Sequence, residues 1–537
     1  MAETVQAAYA AARKLGKKFV SDNENNEYHG YLPVLDDRLQ GIEVVGEISL
    51  GVHEIPLAKI IGTRTEGRSN AFAGNFMPLL EADTEFGIKW RKLYDSHINE
   101  GIREPIKVYE YINRYYVQEG NKRVSVLNFC GAPSMDAVIT RVLPKRDESS
   151  EEISIYYEFL DFDRRAVFDN LWFSHRGEFT RLVGLAEEHL RRHPEVKMTV
   201  EELIRSVHKS FRVAYKRVAP KDLSITTGDA LLEYSRIFGF PAVHRTDQMT
   251  ENIKKAISQF EQMSSQEGRV NIESNTANSS GGGLGALLRR PKNKLRAAFV
   301  MDGTPELLPV TRLHEYGIRR LEYKYGDRLT VDRLFNAPHD PQQLYEAMVK
   351  LLENKPDVLF TTSPYMSNIS LRISLEYPEL VVLNCDRSRE RDSLHTYFPK
   401  THDVNFLSGV IAGAMSSTDR IGYMTSSIFA EGPFCDINAF AIGATISNPR
   451  AEIINYRLRS PDDFEEQNAA CLRFKELGAD VAQIQQSFTN PLSRKCFPGI
   501  FAQLYILHQE HGYPDEAIGG ISCDWFVFYD RVISDMM

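Results

Sequence analysis

Cysteine, tryptophan and long uncharged apolar runs are all scarce in this 537-residue sequence. The six cysteines are widely separated and none stands in a Cys-x-x-Cys pair, which argues against a disulfide framework and a recognisable zinc-binding motif. We therefore predict neither a metal site nor a cofactor. A membrane-spanning helix needs about 20 consecutive apolar residues, and the sequence contains no such run.

Positive charge is not in excess either. The formal net charge is -9 and the isoelectric point about 5.9, which argues against binding nucleic acid through overall charge. Residues 1–20 predict an amphipathic helix and lack the basic start and continuous apolar segment of a secretory signal. No lipobox cysteine stands near the start of the sequence. We therefore expect a cytoplasmic protein.

Changes of pattern divide the chain into five predicted segments. Residues 1–44 are an N-terminal helix with a polar lead-in, residues 45–148 mix strands and helices, and residues 149–275 show mostly helical periodicity. Residues 276–294 are rich in Gly, Ser, Arg and Lys, which predicts a flexible basic linker. In residues 295–537, strands alternate with helices, which predicts an α/β fold with a parallel sheet covered on both faces.

A glycine between a predicted strand and helix marks a candidate anion site in residues 45–148. Gly120 allows a tight backbone turn, and the following helix presents free N–H groups and the positive end of its dipole. The predicted phosphate- or nucleotide-binding residues are Arg64, Arg68, Gly120, Asn121, Lys122 and Arg123. The alternative is that Gly120 only turns the chain and the cations face solvent.

The order of three short segments in residues 45–145 resembles the ParB/sulfiredoxin-like domain: IPL at 55–57, EPI at 104–106 and the GNKR turn at 120–123. The sulfiredoxin branch uses a catalytic cysteine in this turn, and EGNKR has none. The ParB branch hydrolyses CTP while it clamps DNA. The resemblance therefore implies a nucleotide partner and extends the expectation to DNA, although DNA-reading helices are not recognisable.

Polar residues follow three predicted strands of the last segment. Asp302 follows RAAFVM, Ser363 follows VLFTT and Asp386 follows LVVLNC. Ligands of parallel α/β sheets bind outside the carboxyl ends of the strands, where these groups could hydrogen-bond a ribose or a base. The alternative is that Asp302 and Asp386 cap the helices that follow them.

Four further residues complete the candidate ligand site. Tyr365 and Phe429 are candidate stacking surfaces, because an aromatic ring contributes about 1–3 kcal/mol when a base stacks on it. Asp524 and Trp525 follow the predicted strand IGGIS and are expected to line the far lobe of the domain. The alternative for the aromatic residues is packing in the core.

Residues 295–537 resemble the basic membrane protein family, the PnrA-like substrate-binding components of nucleoside importers. The resemblance is carried by TSPYMSNISLRISLEYPELVVLNCD, HTYFPKTHDVNFLSGVIAGAMSSTDRIGYMTS and INAFAIGATISNPRAEI. It implies a type I periplasmic-binding fold of two lobes, a purine nucleoside or nucleobase as ligand, and a membrane permease as partner. The family carries a Phe-Asn pair where this chain has Val310 and Thr311, and it continues beyond the position of Met537, so we expect a truncated second lobe.

Three functions remain open. A non-enzymatic protein that binds a nucleoside-type small molecule is the leading hypothesis. The second is a cytoplasmic sensor, in which ligand binding to residues 295–537 acts on the ParB-like module. The third is a nucleotide-hydrolysing enzyme at the GNKR turn, with Glu119 as a base. The turn WFSHRGEF at 172–179 has no assigned role.

Overall fold

A computed structural model describes most of the chain: residues 2–25, 28, 30–162, 171–220, 223, 225–243, 245–266, 292–306, 308–386, 394–426, 433–459, 463–485, 488–497 and 502–537. The chain forms two compact units. The first consists of Met1–Val218, Ser224–Ser235 and Phe240–Thr250, and the second of Ala219–Leu223, Arg236–Gly239 and Glu251–Met537. Among the described helices, none is both long enough and apolar enough to cross a bilayer. Most of the predicted linker, residues 276–291, lies outside the described residues.

The elements before residue 267 are α1 Ala2–Asp22, α2 Leu35–Arg38, β1 Val44–Pro56, β2 Ile60–Thr63, α3 Glu85–Glu100, β3 Ile106–Tyr111, β4 Arg114–Glu119, α4 Asn121–Phe129, β5 Ser134–Pro144, α5 Glu151–Phe162, α6 Glu178–Arg192, α7 Val200–Val218, α8 Thr227–Phe238 and α9 Thr246–Gln266. Strands β1 to β5 form one mixed sheet in the order β1-β5-β3-β4-β2. Its core includes Ile55, Val108, Tyr115 and Ile139, each no more than 1% exposed.

The alternating segment IKVYEYINRYYVQEG at 106–120 predicts a hairpin with its turn at Asn113-Arg114, and the hairpin is present with the turn one residue earlier. Strands β3 and β4 pair antiparallel, and both residues of the connecting turn, Ile112 and Asn113, have positive φ. Two such residues in succession match the right-handed twist of the two strands. Strand β4 leads directly into Gly120 and then α4, so the hairpin fixes the start of that helix.

Two sequence signals in the helical region are confirmed: Thr199 and Glu202 at capping-box spacing predict a helix start, and Gly239 followed by Pro241 predicts a helix end. Helix α7 starts at a capping box, in which Thr199 Oγ1 accepts from the Glu202 N–H at 3.2 Å and a Glu202 carboxylate oxygen accepts from the Thr199 N–H at 2.9 Å. Helix α8 ends before Gly239, whose φ of +84° favours glycine.

The elements after residue 291 are β6 Leu295–Val300, α10 Pro309–Tyr325, β7 Leu329–Leu334, α11 Pro341–Leu352, β8 Val358–Thr361, α12 Ser367–Glu376, β9 Val381–Cys385, β10 His395–Tyr397, α13 Thr401–Met415, β11 Arg420–Ser426, α14 Pro433–Ser447, β12 Glu452–Leu458, α15 Phe464–Glu476, β13 Val481–Gln485, β14 Phe488–Thr489, β15 Cys496–Phe497, β16 Ala502–Leu507, β17 Pro514–Ile521 and α16 Trp525–Met536. They build two lobes, each around a five-stranded sheet, and β14 and β15 form a separate antiparallel pair.

The first lobe is built on the sheet β10-β9-β8-β6-β7, and all its strand pairs are parallel. Strands β8 and β9 are buried along their whole length, as expected for strands covered by helices on both faces. The two-lobed α/β fold is thereby confirmed.

The second lobe is built on the sheet β12-β11-β13-β16-β17. Strands β12, β11 and β13 are parallel, as predicted, but β16 and β17 pair antiparallel, so this sheet is mixed. The chain then returns to the first lobe. Trp525, Tyr529, Val532 and Ile533 of α16 belong to the same core as Phe299 of β6.

Candidate functional site

The carboxyl ends of the first-lobe strands gather several of the predicted ligand-binding residues. Asp302 lies two residues beyond β6, and its side chain is 34% exposed. One carboxylate oxygen lies 3.4 Å from His339 Nε2. His339 follows β7, the neighbour of β6, so two adjacent strands place this acid and this imidazole side by side.

Tyr365 joins the same group from the end of β8. Its ring stacks on the His339 imidazole, with the ring centroids 4.4 Å apart and the planes at 18°. Its hydroxyl donates to the Ala337 carbonyl at 2.9 Å. Burial, followed by the negative charge of Asp302, raises the pKa of Tyr365, so the phenol stays neutral. Asp302, His339 and Tyr365 are called the edge triad below.

Sequence reasoning missed His339. It lies in the loop between β7 and α11, and it neither follows a strand directly nor belongs to any motif. Its neighbour Asp340, which caps α11 by accepting from the Gln342 and Gln343 N–H groups at 3.0 Å, is the conspicuous local signal. Only the pairing of β6 with β7 brings His339 to Asp302.

Ser363 lies at the same sheet edge in a more enclosed position. It is 8% exposed, and its carbonyl accepts from Asn384 Nδ2 at 3.1 Å. The same amide donates to Thr361 Oγ1 at 2.7 Å, while Asn384 Oδ1 is buried without a hydrogen-bond partner among the described residues. Buried amide oxygens normally accept a hydrogen bond. The unpartnered oxygen therefore makes Asn384 a further candidate polar group at this edge.

Asp386 lies at the end of another strand of the first-lobe sheet, and Phe429 cannot be placed. Asp386 lies at the end of β9, and its backbone N–H donates to the Tyr397 carbonyl at 3.2 Å. It shares the carboxyl edge of the sheet with Asp302 and Ser363. Phe429 lies outside the described residues.

Asp524 and Trp525 lie in the first lobe, so their expected position in the far lobe is wrong. Asp524 caps α16 and makes an ion pair with Arg320 of α10 at 2.8 Å. Trp525 is 5% exposed and stacks on His314 of α10, with the ring centroids 4.3 Å apart. The physical reason is that α16 supplies apolar surface that the first-lobe sheet needs on one face.

The position that carries the family's Phe-Asn pair lies at the start of α10. Thr311 is 2% exposed, and its hydroxyl donates to the Asp302 carbonyl. Thr311 therefore holds the backbone at Asp302 in place, and it has no aromatic ring that a ligand could stack on.

The GNKR turn has the backbone geometry expected of an anion site. Gly120 has φ of +115°, and a Cβ there would lie 2.3 Å from Ile106 Cγ2, so only glycine fits. Asn121 is 4% exposed, and its Nδ2 donates to Thr63 Oγ1 at 3.4 Å, while Asn121 Oδ1 has no hydrogen-bond partner among the described residues. The end of β2 and the start of α4 therefore meet at this hydrogen bond.

The arginines near this turn contact other protein groups. Arg123 donates to the Pro105 carbonyl at 2.7 Å and pairs with Glu104 at 3.0 Å. Arg64 lies over the Tyr109 ring, with its guanidinium carbon 4.0 Å from the centroid, and also donates to the Tyr109 hydroxyl. Both guanidinium groups therefore already have protein partners and are not reserved for an anion.

Lys122 and Arg68 complete the predicted set at this turn. The Lys122 ammonium lies 4.9 Å from the centre of the Phe86 ring, a cation–π distance. The side chain of Arg68 lies outside the described residues. Across the described part of the chain, no group of three or more His, Cys, Asp or Glu side chains could hold a metal ion.

Comparison with known proteins identifies one domain. Residues 294–490 match the family model described as ABC transporter substrate-binding protein, PnrA-like. A putative ABC transporter glucose-binding protein of Haloferax volcanii is 23% identical over 205 residues, which cover 37% of this chain and 50% of that protein. A purine-binding protein of Brucella abortus is 24% identical over 159 residues, which cover 29% of this chain and 45% of that protein. The chain therefore spans about half the length of the curated relatives it matches.

Solved structures show a distant likeness over about a third of the chain's length. An ABC transporter solute-binding protein from Conexibacter woesei has a TM-score of 0.29 and 15% identity, covering 35% of this chain and 62% of that one. A transcriptional activator of the comK gene from Bacillus halodurans has a TM-score of 0.27 and 13% identity, covering 36% and 77%. The likeness to a known family therefore depends on the sequence match: residues 294–490 are similar to the PnrA-like ABC transporter substrate-binding proteins.

Proposed function

We propose that the PnrA-like domain binds a flat heterocycle, a purine nucleoside or nucleobase, at the carboxyl edge of the first-lobe sheet. The edge triad carries this proposal. It combines a stacked aromatic pair with a partly exposed carboxylate on adjacent parallel strands, and this edge is the usual ligand position of such sheets. The relative named a purine-binding protein supports the same ligand class.

Each member of the triad has a distinct role in this proposal. The outer face of the His339 ring, whose side chain is 74% exposed, stacks on the heterocycle, and Tyr365 supports the imidazole from behind. The Asp302 carboxylate accepts hydrogen bonds from ring N–H or ribose hydroxyl groups. Charge-assisted hydrogen bonds of this kind are about twice as strong as neutral ones.

Isothermal titration calorimetry on the full chain tests the ligand class. We expect heat of binding with adenosine, guanosine, inosine or adenine and none with glucose, which is the competing ligand class because another relative is named a glucose-binding protein. Asp302→Asn should weaken purine binding at least tenfold. Asp403→Asn, at an exposed acid of α13, is the control and should bind as the wild type. Binding of glucose without binding of purines would refute the proposal.

A second candidate function is nucleotide binding at the GNKR turn of a ParB-like domain. The meeting of Thr63 and Asn121 at the start of a helix led by Gly120 supports it, because free N–H groups there suit a phosphate. CTP or ATP binding by the full chain, lost in Lys122→Ala, would support it. Turnover would make the domain an enzyme, and binding without turnover would favour a sensor.

The partner of the whole protein divides the remaining hypotheses. A permease is supported by the relative named as part of an ABC transporter, and a cytoplasmic sensor by the presence of a separate compact unit before the PnrA-like domain. Nucleotide affinity measured with and without a saturating purine distinguishes them. A sensor requires the two ligands to change each other's affinity, and a transport component does not.

A further inference from the structure

Helices α13 and α14 of the second lobe are apolar on nearly all sides. Residues 404–417 and 437–447 contain no charged side chain. A helix that is hydrophobic all round is normally covered on every side. Among the described residues, the inner faces are covered by each other and by the second-lobe sheet, and the outer faces are not covered.

The inner faces of the two helices meet through glycine. A Cβ on Gly409 would lie 2.0 Å from the Phe440 carbonyl oxygen, and a Cβ on Gly443 would lie 2.0 Å from the Phe406 carbonyl oxygen. Each helix thus contributes a phenylalanine and, three residues later, a glycine, in matching register. Such close backbone contact makes the pair one firm element, so the outer side chains are held in fixed positions.

The outer faces of the pair carry six large apolar side chains that the described chain leaves between 45% and 70% exposed: Leu407, Ile411, Met415, Phe434, Ile442 and Ile446. At roughly 100–150 Å² for each side chain, this exposure amounts to about 350–500 Å² of apolar surface. One side of a stable protein interface buries about 800 Å², of which about 56–65% is apolar. The α13–α14 face therefore supplies the apolar area that one side of such an interface needs.

We infer that the α13–α14 face binds a second copy of this chain and forms a two-fold symmetric dimer. A charge-free face has no charge pattern with which to select a different protein, and a two-fold axis presents one apolar patch to itself. Charged side chains lie at the two ends of the face and not within it. Asp403 lies beside His402 at the amino end of α13, and Arg450 pairs with Asp419 at 3.0 Å just beyond the carboxyl end of α14.

In the proposed dimer, the helix pair of one copy runs antiparallel to the helix pair of the other, and the helix dipoles then favour association. Helices α13 and α14 are parallel, since Gly409 meets Phe440 and, four residues further along both helices, Gly413 meets Ala444. An axis perpendicular to them sets the amino ends of one pair beside the carboxyl ends of the other, where opposite partial charges attract.

Sedimentation velocity of the full chain between about 1 and 100 µM tests the inference. We expect a dimer whose population falls with dilution, and we expect Leu407→Lys and Ile442→Lys each to give a monomer. Val527→Lys is the matched control, because Val527 is an apolar residue of α16, 66% exposed, outside the face. Far-ultraviolet circular dichroism and a thermal melt check that each variant is folded; both substituted positions are exposed and tolerate a lysine.

Three outcomes would overturn the inference. One is a wild-type monomer throughout the concentration range. Another is a dimer that persists in both lysine variants, which would place the interface elsewhere. The third is a monomer that binds neutral phosphatidylcholine vesicles through this face, since the apolar area would then serve a lipid surface.

Discussion

At the residue scale, the edge triad depends on an imidazole that covers one face of Tyr365. Because His339 lies between Tyr365 and open space, a heterocycle reaches the His339 ring first. His339→Ala should weaken purine binding about fivefold to tenfold, the equivalent of roughly 1–1.4 kcal/mol of stacking. His339→Phe should restore most of it, because a ring returns to the same place.

Calorimetry on the two variants provides the measurement. His402→Ala is the control, since His402 is also exposed and also lies next to an aspartate, at 3.3 Å from Asp403. Tighter purine binding by His339→Ala would contradict the assigned role, because it would mean that the imidazole blocks Tyr365.

Gly120 allows a separate test at the residue scale, by comparison with Gly131 of the same domain. Gly120 and Gly131 both have positive φ, but a Cβ on Gly120 would clash with Ile106, whereas a Cβ on Gly131 meets nothing within 4 Å. Gly131→Ala should cost about 1 kcal/mol of unfolding free energy for the backbone alone. Gly120→Ala should cost about 2–4 kcal/mol, since overpacking is added. Equal losses in urea denaturation would show that the turn opens to admit the methyl group.

At the element scale, the turn WFSHRGEF connects α6 with α8 through two carboxyl groups. Asp229 of α8 accepts from the Ser174 N–H at 3.0 Å and from the Thr226 N–H at 3.1 Å. Burial, then the hydrogen bond and negative charge of Asp229, raise the pKa of Glu178, the first residue of α6, to about 8. The protonated Glu178 therefore belongs to the folded state, and its ionisation would place two carboxylates in contact.

This pair makes the stability of the helical region depend on pH. The pKa of Glu178 is higher in the folded than in the unfolded chain, so the folded state binds more protons between about pH 5 and pH 8, and stability falls as pH rises. The groups that face the pair change the size of this effect and not its sign: Arg181 and the His175 backbone lower the pKa of Glu178, and the Tyr215 phenol faces Asp229.

Glu178→Gln should remove most of the pH dependence. We expect the variant to gain about 1–2 kcal/mol relative to the wild type between pH 5 and pH 8.5, a figure reduced because the carboxyl is partly solvated. Urea denaturation followed by far-ultraviolet circular dichroism at a series of pH values gives the slope for each variant. Glu187→Gln, at an exposed position of α6, should leave the slope unchanged. A wild-type slope in Glu178→Gln would show that another group is responsible.

Elements with strong local signals could be predicted from the sequence. The β3–β4 hairpin, the capping box of α7 and the glycine after α8 each depend on residues a few positions apart. The strands of the first lobe were equally clear, because strands buried on both faces are continuous apolar runs. The direction of β16 and β17 was missed, since neither strand carries a local mark of antiparallel pairing.

At the scale of the whole molecule, the candidate site depends on contacts that no local pattern encodes. Asp302 and His339 are 37 positions apart and meet because β6 pairs with β7. Trp525 follows a second-lobe strand and nevertheless packs on His314 of the first lobe. The carboxyl edge and the candidates Asp302 and Tyr365 could therefore be chosen from the sequence, and the third member of the triad, His339, could not.

The return of α16 to the first lobe makes that lobe depend on the last residues of the sequence. Tyr529 is fully buried, its hydroxyl lies 2.6 Å from His314 Nδ1, and its ring meets Phe299 and Phe360 edge-on. Burial lowers the pKa of His314 to about 3, so the imidazole is neutral and pairs with this phenol at ordinary pH. Helix α16 therefore contributes both apolar area and a polar contact to the core.

Tyr529→Ala should destabilise the first lobe by about 3–5 kcal/mol, because it leaves a large cavity under the sheet and removes the partner of His314. Val527→Ala on the same helix, at a position 66% exposed, should cost less than about 0.5 kcal/mol. Chemical denaturation measures both, and calorimetry with adenosine gives the functional consequence. Because the edge triad stands on the sheet that α16 covers, Tyr529→Ala should lose purine binding at temperatures where Val527→Ala retains it. Full purine binding by a destabilised Tyr529→Ala would show that the edge triad keeps its geometry without this helix in place.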